Sequence, residues 1–148
     1  MENASREANV RVRLTSGPIA SATPFVLSDS ETALAGAVVT FQGRVRNREV
    51  DENEMKPILG LEYEVYEPMT SQELHRLADQ YARKHDVIAV DVEHSFGFVG
   101  NGECSFLLQV ATSHRRSAIT FVDEFIDAMK SHVPIWKVPR WSMPDSTA

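Results

Sequence analysis

The sequence predicts a single α+β domain built on a mainly antiparallel sheet with two principal helices, and three observations support that class. Segments with the period-two alternation or β-branched enrichment of strands outnumber those with helical spacing. The two kinds do not alternate strictly, as they would in a doubly wound parallel sheet. The chain has 148 residues, of which 43% are hydrophobic, enough for one continuous core. No internal repeat, low-complexity tract or second domain interrupts it. The domain is expected over residues 10–141, between polar tails at 1–9 and 142–148.

VRVRL, 10–14, alternates with period two before SGP turns the chain, which predicts a short first strand. GAVVTFQGRVR, 36–46, is rich in β-branched and aromatic residues and predicts a strand that runs into a mobile, charged loop over about 47–57. LGLEYEVYE, 59–67, places Leu61, Tyr63 and Val65 on one face and Glu62, Glu64 and Tyr66 on the other. Thr70 followed by Glu73 is a capping-box pattern ahead of Leu74, Leu77, Ala78 and Tyr81, so a helix is expected over 71–84. VIAVDVEHSFG, 87–97, and ECSFLLQVATS, 103–113, read as two strands of a hairpin joined through GFVGNG. Ala118, Phe121, Val122, Phe125 and Met129 recur on one helical face, which predicts a second helix over 115–131, and Pro134 prevents its continuation.

Composition limits the function classes. The formal net charge is −6, so no overall positive field exists to hold nucleic acid or an anionic membrane surface. No apolar run approaches the roughly 18–20 residues of a membrane span, and MENASREANVRVR has charges where a secretory signal would be apolar. A cytoplasmic protein is expected. Cys104 is the single cysteine and lies in the apolar stretch CSFLLQVA, so it reads as a buried structural thiol. The five histidines show no metal-ligand spacing, and no metal or cofactor is expected. Ser113 beside His114 lacks the context of a hydrolase triad. Phe96, Phe98 and Phe106 read as core or hairpin packing, and DENE, 51–54, as a solvated loop.

Positive charge is instead local. In ATSHRRSA, His114, Arg115 and Arg116 sit where the second helix begins. Basic residues there oppose the helix dipole, whereas a bound anion would be stabilised by the free N–H groups of the first turn. A forked guanidinium suits phosphate in particular. The alternative is that these side chains face water or pair with Glu62 or Glu64. Arg44 and Arg46 end the strand GAVVTFQGRVR and, two residues apart, share a face if the strand persists. Lys130 ends the second helix, where a cation complements the dipole, and Lys137 follows in VPIWKVPRW.

GAVVTFQGRVRN, LEYEVYEPM, ATSHRRSA and the closing K-x-x-x-P-I-W-K, Lys130 to Lys137, together resemble the large, catalytic subunit of molybdopterin synthase. The resemblance runs from about residue 10 to residue 137. It implies an α/β-hammerhead fold and a homodimer at the centre of a heterotetramer. It also implies a small ubiquitin-like sulfur carrier subunit whose C-terminal Gly-Gly thiocarboxylate enters the active site. The implied reaction transfers sulfur to cyclic pyranopterin monophosphate, giving the dithiolene of molybdopterin. By motif position, Arg46, His114 and Arg115 match the pocket for the pterin phosphate, with Arg44 and Arg116 beside them, and Lys130 and Lys137 match the catalytic lysines. Ser95 stands where members commonly have arginine, and after Lys137 the chain reads VPRWSMPDSTA in place of K-(K/R)-E and a longer tail. Arg140 and Trp141 are expected to replace that tail only in part.

Arg115 and Lys130 fall at opposite ends of one predicted helix, roughly 22 Å apart at about 1.5 Å per residue. No small substrate spans that distance. If both serve one site, it combines His114 and Arg115 of one protomer with Lys130 and Lys137 of the other. The competing expectation is a non-catalytic homodimer of the same fold that holds a phosphorylated pterin or another small anion.

Overall fold

The computed structural model describes residues 7–20 and 23–142. In chain order the elements are β1 (Asn9–Ser16), α1 (Asp29–Leu34), β2 (Ala37–Arg44), β3 (Arg48–Asp51), β4 (Glu54–Val65), α2 (Met69–Lys84), β5 (Ala89–Gly100), β6 (Cys104–Thr112), α3 (Arg115–His132) and β7 (Ile135–Trp141). The architecture is α+β, as the element pattern predicts. Of the proposed tails, residues 1–6 and 143–148 lie outside the described residues, while Asn9 already belongs to β1.

The sheet runs β2-β6-β5-β4-β3, with β1 added parallel to β5 and β7 antiparallel to β4; every other pairing is antiparallel. β5 is long enough to serve two neighbourhoods. Its first part, Ala89–Phe96, pairs with β1 and, as far as His94, with β6, whereas Gly97–Gly100 pairs with β4. The strand changes partners at Gly97, whose φ of 79° is open to glycine and strained for other residues. Among the described residues β1 is the one parallel strand, and its register sets Arg13 beside two buried acids. The Arg13 guanidinium reaches Asp91 at 3.2 Å and Glu93 at 3.4 Å.

β6 and the first part of β5, Ala89–Ser95, are covered on both faces, which is why every residue in them is buried. On one face Val90, Val92, Leu108 and Val110 meet Leu74, Leu77 and Ala78 of α2 and Ala118, Phe121, Phe125 and Met129 of α3. Phe121 and Phe125 stack at 5.6 Å and are fully buried, so the predicted apolar stripe is the face that α3 sets on the sheet. On the other face the segment before β2 contributes Phe25, Leu27 and Ala35 over Ile88, Ala89 and Ala111. Ile19 covers Cys104 and Leu107. The Cys104 thiol is buried, and burial raises its pKa, consistent with a structural role.

Three expectations need correction. The segment 47–57 is not a mobile loop but a hairpin of β3 and the start of β4, turned through Glu52 and Asn53 at φ 49° and 68°. Asp51 and Lys56 pair across it at 2.9 Å. Thr70 and Glu73 do not form a capping box: α2 starts at Met69 after Pro68, the Thr70 hydroxyl donates to the Pro134 carbonyl at 2.8 Å, and Glu73 pairs with Arg76. Thr70 thus ties the start of α2 to the connection after α3. A reciprocal capping box does occur in α1, between Ser28 and Glu31. Of the three phenylalanines read as packing residues, Phe106 is buried while Phe96 and Phe98 are exposed.

The central role of the α3 stripe gives a stability test. Phe121→Ala should cost about 3–5 kcal/mol in chemical unfolding, because it removes a fully buried ring, whereas Ile119→Ala on the exposed face should cost well under about 1 kcal/mol. Equal losses would contradict the packing described.

Candidate functional site

A cleft of about 550 Å³ opens where the end of α3 meets β2, β4 and β7. Four cations line it: Arg44, Arg46, Lys130 and Lys137. Glu49 is the one carboxylate in the lining, so a chain of net charge −6 concentrates positive charge here.

Each cation is placed by its element. Arg44 ends β2 just after a register shift at Gly43, and its guanidinium donates to the Gly102 carbonyl in the β5–β6 turn. Val45, between the two arginines, is buried beside Ile58, Leu61 and Val99, which leaves Arg44 and Arg46 on the cleft side. Lys130 stands in the last turn of α3 directly after buried Met129. Lys137 lies opposite Tyr63 in the β4–β7 ladder, and its ammonium meets Glu49 at 3.2 Å. None of the ion pairs among the described residues involves Arg44, Arg46 or Lys130.

The floor is aromatic and polar without charge. Tyr63 donates its hydroxyl to Ser105 at 2.9 Å, and burial pushes the phenol above its ordinary pKa. His94 lies edge-on to Tyr63 at 5.1 Å and 5.7 Å from Phe106. Burial holds its imidazole below the ordinary histidine pKa, with a hydrogen bond to the Ser95 carbonyl opposing in part, so the ring is neutral at pH 7. Pattern reading missed Glu49, Tyr63, His94 and Ser105 as site residues. The alternation of LGLEYEVYE puts Tyr63 beside Leu61 on the buried face, and a histidine in the apolar run VIAVDVEHSFG was a further signal.

His114, Arg115 and Arg116 are not in this cleft. They sit at the opposite end of α3, exposed, in a first turn that has no acidic residue and no side-chain cap. The two acids considered as partners are engaged elsewhere, Glu62 with Arg140 and Glu64 with Tyr66. One copy of the chain therefore carries two separate cationic clusters, roughly 22 Å apart along the helix. Ser95 is fully buried on the other side of β5 from His94, donating to the Gly17 carbonyl at 2.6 Å, so its departure from the common arginine subtracts nothing from the cleft of its own chain. Arg140 and Trp141 belong to β7 and do not line the cleft.

Among the described residues no helix is long and apolar enough to cross a membrane. Comparison with known proteins joins these observations to a family. The family profile described as "MoaE protein" matches residues 14–132. The molybdopterin synthase catalytic subunit of Thermoplasma volcanium is 37% identical over 103 residues, which is 70% of this chain and 72% of that one. The human molybdopterin synthase catalytic subunit is 36% identical over 104 residues, 70% of this chain; the match spans 53% of the human protein, about half its length. The crystal structure of molybdopterin synthase from Staphylococcus aureus superposes with a TM-score of 0.73 at 28% identity, covering 88% of this chain and 91% of that one. With the profile running from the end of β1 to the end of α3, and the same fold in a solved synthase, this chain belongs to the MoaE family.

Proposed function

We propose that the protein is the catalytic subunit of a cytoplasmic molybdopterin synthase, a sulfurtransferase that moves sulfur from a thiocarboxylated carrier to cyclic pyranopterin monophosphate. The carrier is a small ubiquitin-like subunit ending in Gly-Gly, and two copies of this chain form the centre of the assembly. The observation that carries the reading is the cleft with four cations and one carboxylate. Both reactants are anions, a phosphorylated pterin and a thiocarboxylate, and bringing them together requires compensating positive charge.

On this reading the sulfur bonds to a carbon of the pterin side chain as the carbon–oxygen bond to the cyclic phosphate breaks, its electron pair leaving on the phosphate oxygen, while the carrier remains attached as an acyl group. Water then cleaves the acyl–sulfur bond. The carbonyl oxygen becomes an oxyanion during that attack, and an ammonium aimed at it lowers the barrier; loss of one such donor typically costs about 10²–10³ in rate. Lys130 is the better placed for this task, because it has no ion-pair partner among the described residues, while Lys137 is held by Glu49. Lys137 secures the carrier's terminus, and Arg44 and Arg46 attract the phosphate.

His114, Arg115 and Arg116 complete the phosphate pocket from the second copy. What supports this arrangement is the length of α3, which keeps them away from the cleft of their own chain, together with the absence of any acid in their helical turn.

Lys130→Ala should abolish molybdopterin formation in a reconstituted assay with thiocarboxylated carrier while leaving the unfolding transition unchanged; full activity would defeat the assignment. A wild-type protein that binds phosphorylated pterin as a dimer but captures no ubiquitin-like carrier would favour the non-catalytic reading. Shared sites make a second prediction. Lys130→Ala and Arg115→Ala protomers, each inactive alone, should on random mixing regain about a quarter of wild-type activity, because half the dimers are hybrids with one intact site. No recovery would mean that each site is built within one copy.

A further inference from the structure

His94 is a buried ring that the reaction above leaves without a task, although it lines the cleft with Lys130 and Lys137. Its Nδ1 lies 2.8 Å from the Ser95 carbonyl oxygen. A carbonyl can only accept, so Nδ1 carries the proton and the neutral ring has its lone pair on Nε2. Among the described residues no hydrogen bond engages Nε2, yet no buried side-chain nitrogen or oxygen lacks a partner. Nε2 is therefore the accessible part of the ring, and the space it reaches is the cleft. Tyr63 at 5.1 Å and Phe106 at 5.7 Å fix the plane of the imidazole, and Lys137 stands directly opposite Tyr63 in the ladder.

We propose that His94 is a further catalytic residue, the base that takes a proton from the water that releases the carrier. The inference rests on the sulfur transfer proposed above. In the step, the water oxygen bonds to the acyl carbon while its proton passes to Nε2. The tetrahedral intermediate then collapses, the carbon–sulfur bond breaks, and its electron pair leaves on sulfur. The products are a thiolate on the pterin and a carboxylic acid on the carrier, which ionises. The imidazolium returns its proton to solvent through the open side of the cleft. No oxidant or reductant is needed.

The surroundings suit a base. Tyr63 of β4 packs against the ring, and the other charged groups that line the cleft with it are Arg44 and Arg46 at the end of β2, Glu49 of β3, Lys130 of α3 and Lys137 of β7. None is hydrogen-bonded to it. Burial disfavours a standing imidazolium, with the hydrogen bond to the Ser95 carbonyl opposing it in part, so the ring is free to accept a proton at neutral pH.

The test is a single turnover with thiocarboxylated carrier and pterin precursor, quenched in acid and read by intact mass of the carrier. His94→Asn keeps a donor for the Ser95 carbonyl and removes the base. It should form the carrier–pterin acyl adduct at near wild-type speed and clear it about 10²-fold or more slowly. Wild-type clearance should fall as pH drops through the depressed pKa of His94, and that acid limb should be absent in the variant. If His94→Asn does not fold, His94→Gln is read in the same way. Clearance at the wild-type rate, or slower clearance with the acid limb intact, would overturn the assignment. A wild-type protein that takes no sulfur from the carrier would overturn the reaction itself, a failure distinguishable from an adduct that forms and clears normally without His94.

Discussion

The packing of α3 on the sheet is the constraint from which the other features follow. Ala118, Phe121, Phe125 and Met129 lock one face of the helix onto Val90, Val92, Leu108 and Val110, so neither its position nor its rotation is free. That single placement delivers Lys130 to the cleft and holds His114, Arg115 and Arg116 a helix length away. A helix is stiff over this distance, and bending one end toward the other would cost the core. The separation of the two cationic clusters is thus built into the fold, and it is the physical basis for proposing a site shared by two copies.

The cleft combines charge at its walls with neutrality at its floor. Arg44, Arg46, Lys130 and Lys137 would repel one another if brought close without a counter-ion, and only Glu49 offers one. Such an arrangement is tolerable beside water and becomes favourable when an anion enters. Tyr63 and His94 stay uncharged for the same reason that they are aromatic and buried: desolvation penalises their ionised forms. A site of this kind attracts phosphate and thiocarboxylate electrostatically while keeping one nitrogen available for proton transfer.

Much of the fold was legible because the relevant signals are local. The α3 stripe and the alternation in β4 each announce their element within a dozen residues, whereas GFVGNG, read as the joint between β5 and β6, is strand as far as Gly100 and turns only after it. β7 escaped because Pro134 and Pro139 demote IWKVPRW as a strand, yet it pairs only with β4 and so tolerates a proline at the sheet edge. The β3–β4 hairpin escaped because its turn places Glu52 and Asn53, not glycine, at positive φ. Thr70 misled because its hydroxyl is used by the distant Pro134 carbonyl, which no window of sequence contains.

The candidate site was legible in part. The cationic residues were visible as charges in places where a helix start or a strand end gives them little structural reason. Their division between two ends of one helix also followed from residue spacing. Glu49, Tyr63, His94 and Ser105 were not visible, because they come from four different strands, and only sheet register brings them together. The Ser95 departure could be judged only when β5 was seen to turn it away from the cleft, toward Gly17.

The shared site is tested most directly by distances between spin labels just before α3 and in its last turn, at Ser113→Cys and Ser131→Cys, both exposed positions. Protein labelled only at 113 would be mixed with protein labelled only at 131, with buried Cys104 left unlabelled. Within one chain the two positions are about 27 Å apart at 1.5 Å per residue. The account predicts that the mixed sample shows a clearly shorter separation, as the start of one α3 meets the end of its partner's. A mixed sample with no dipolar coupling, or with a separation longer than the within-chain distance, would contradict it.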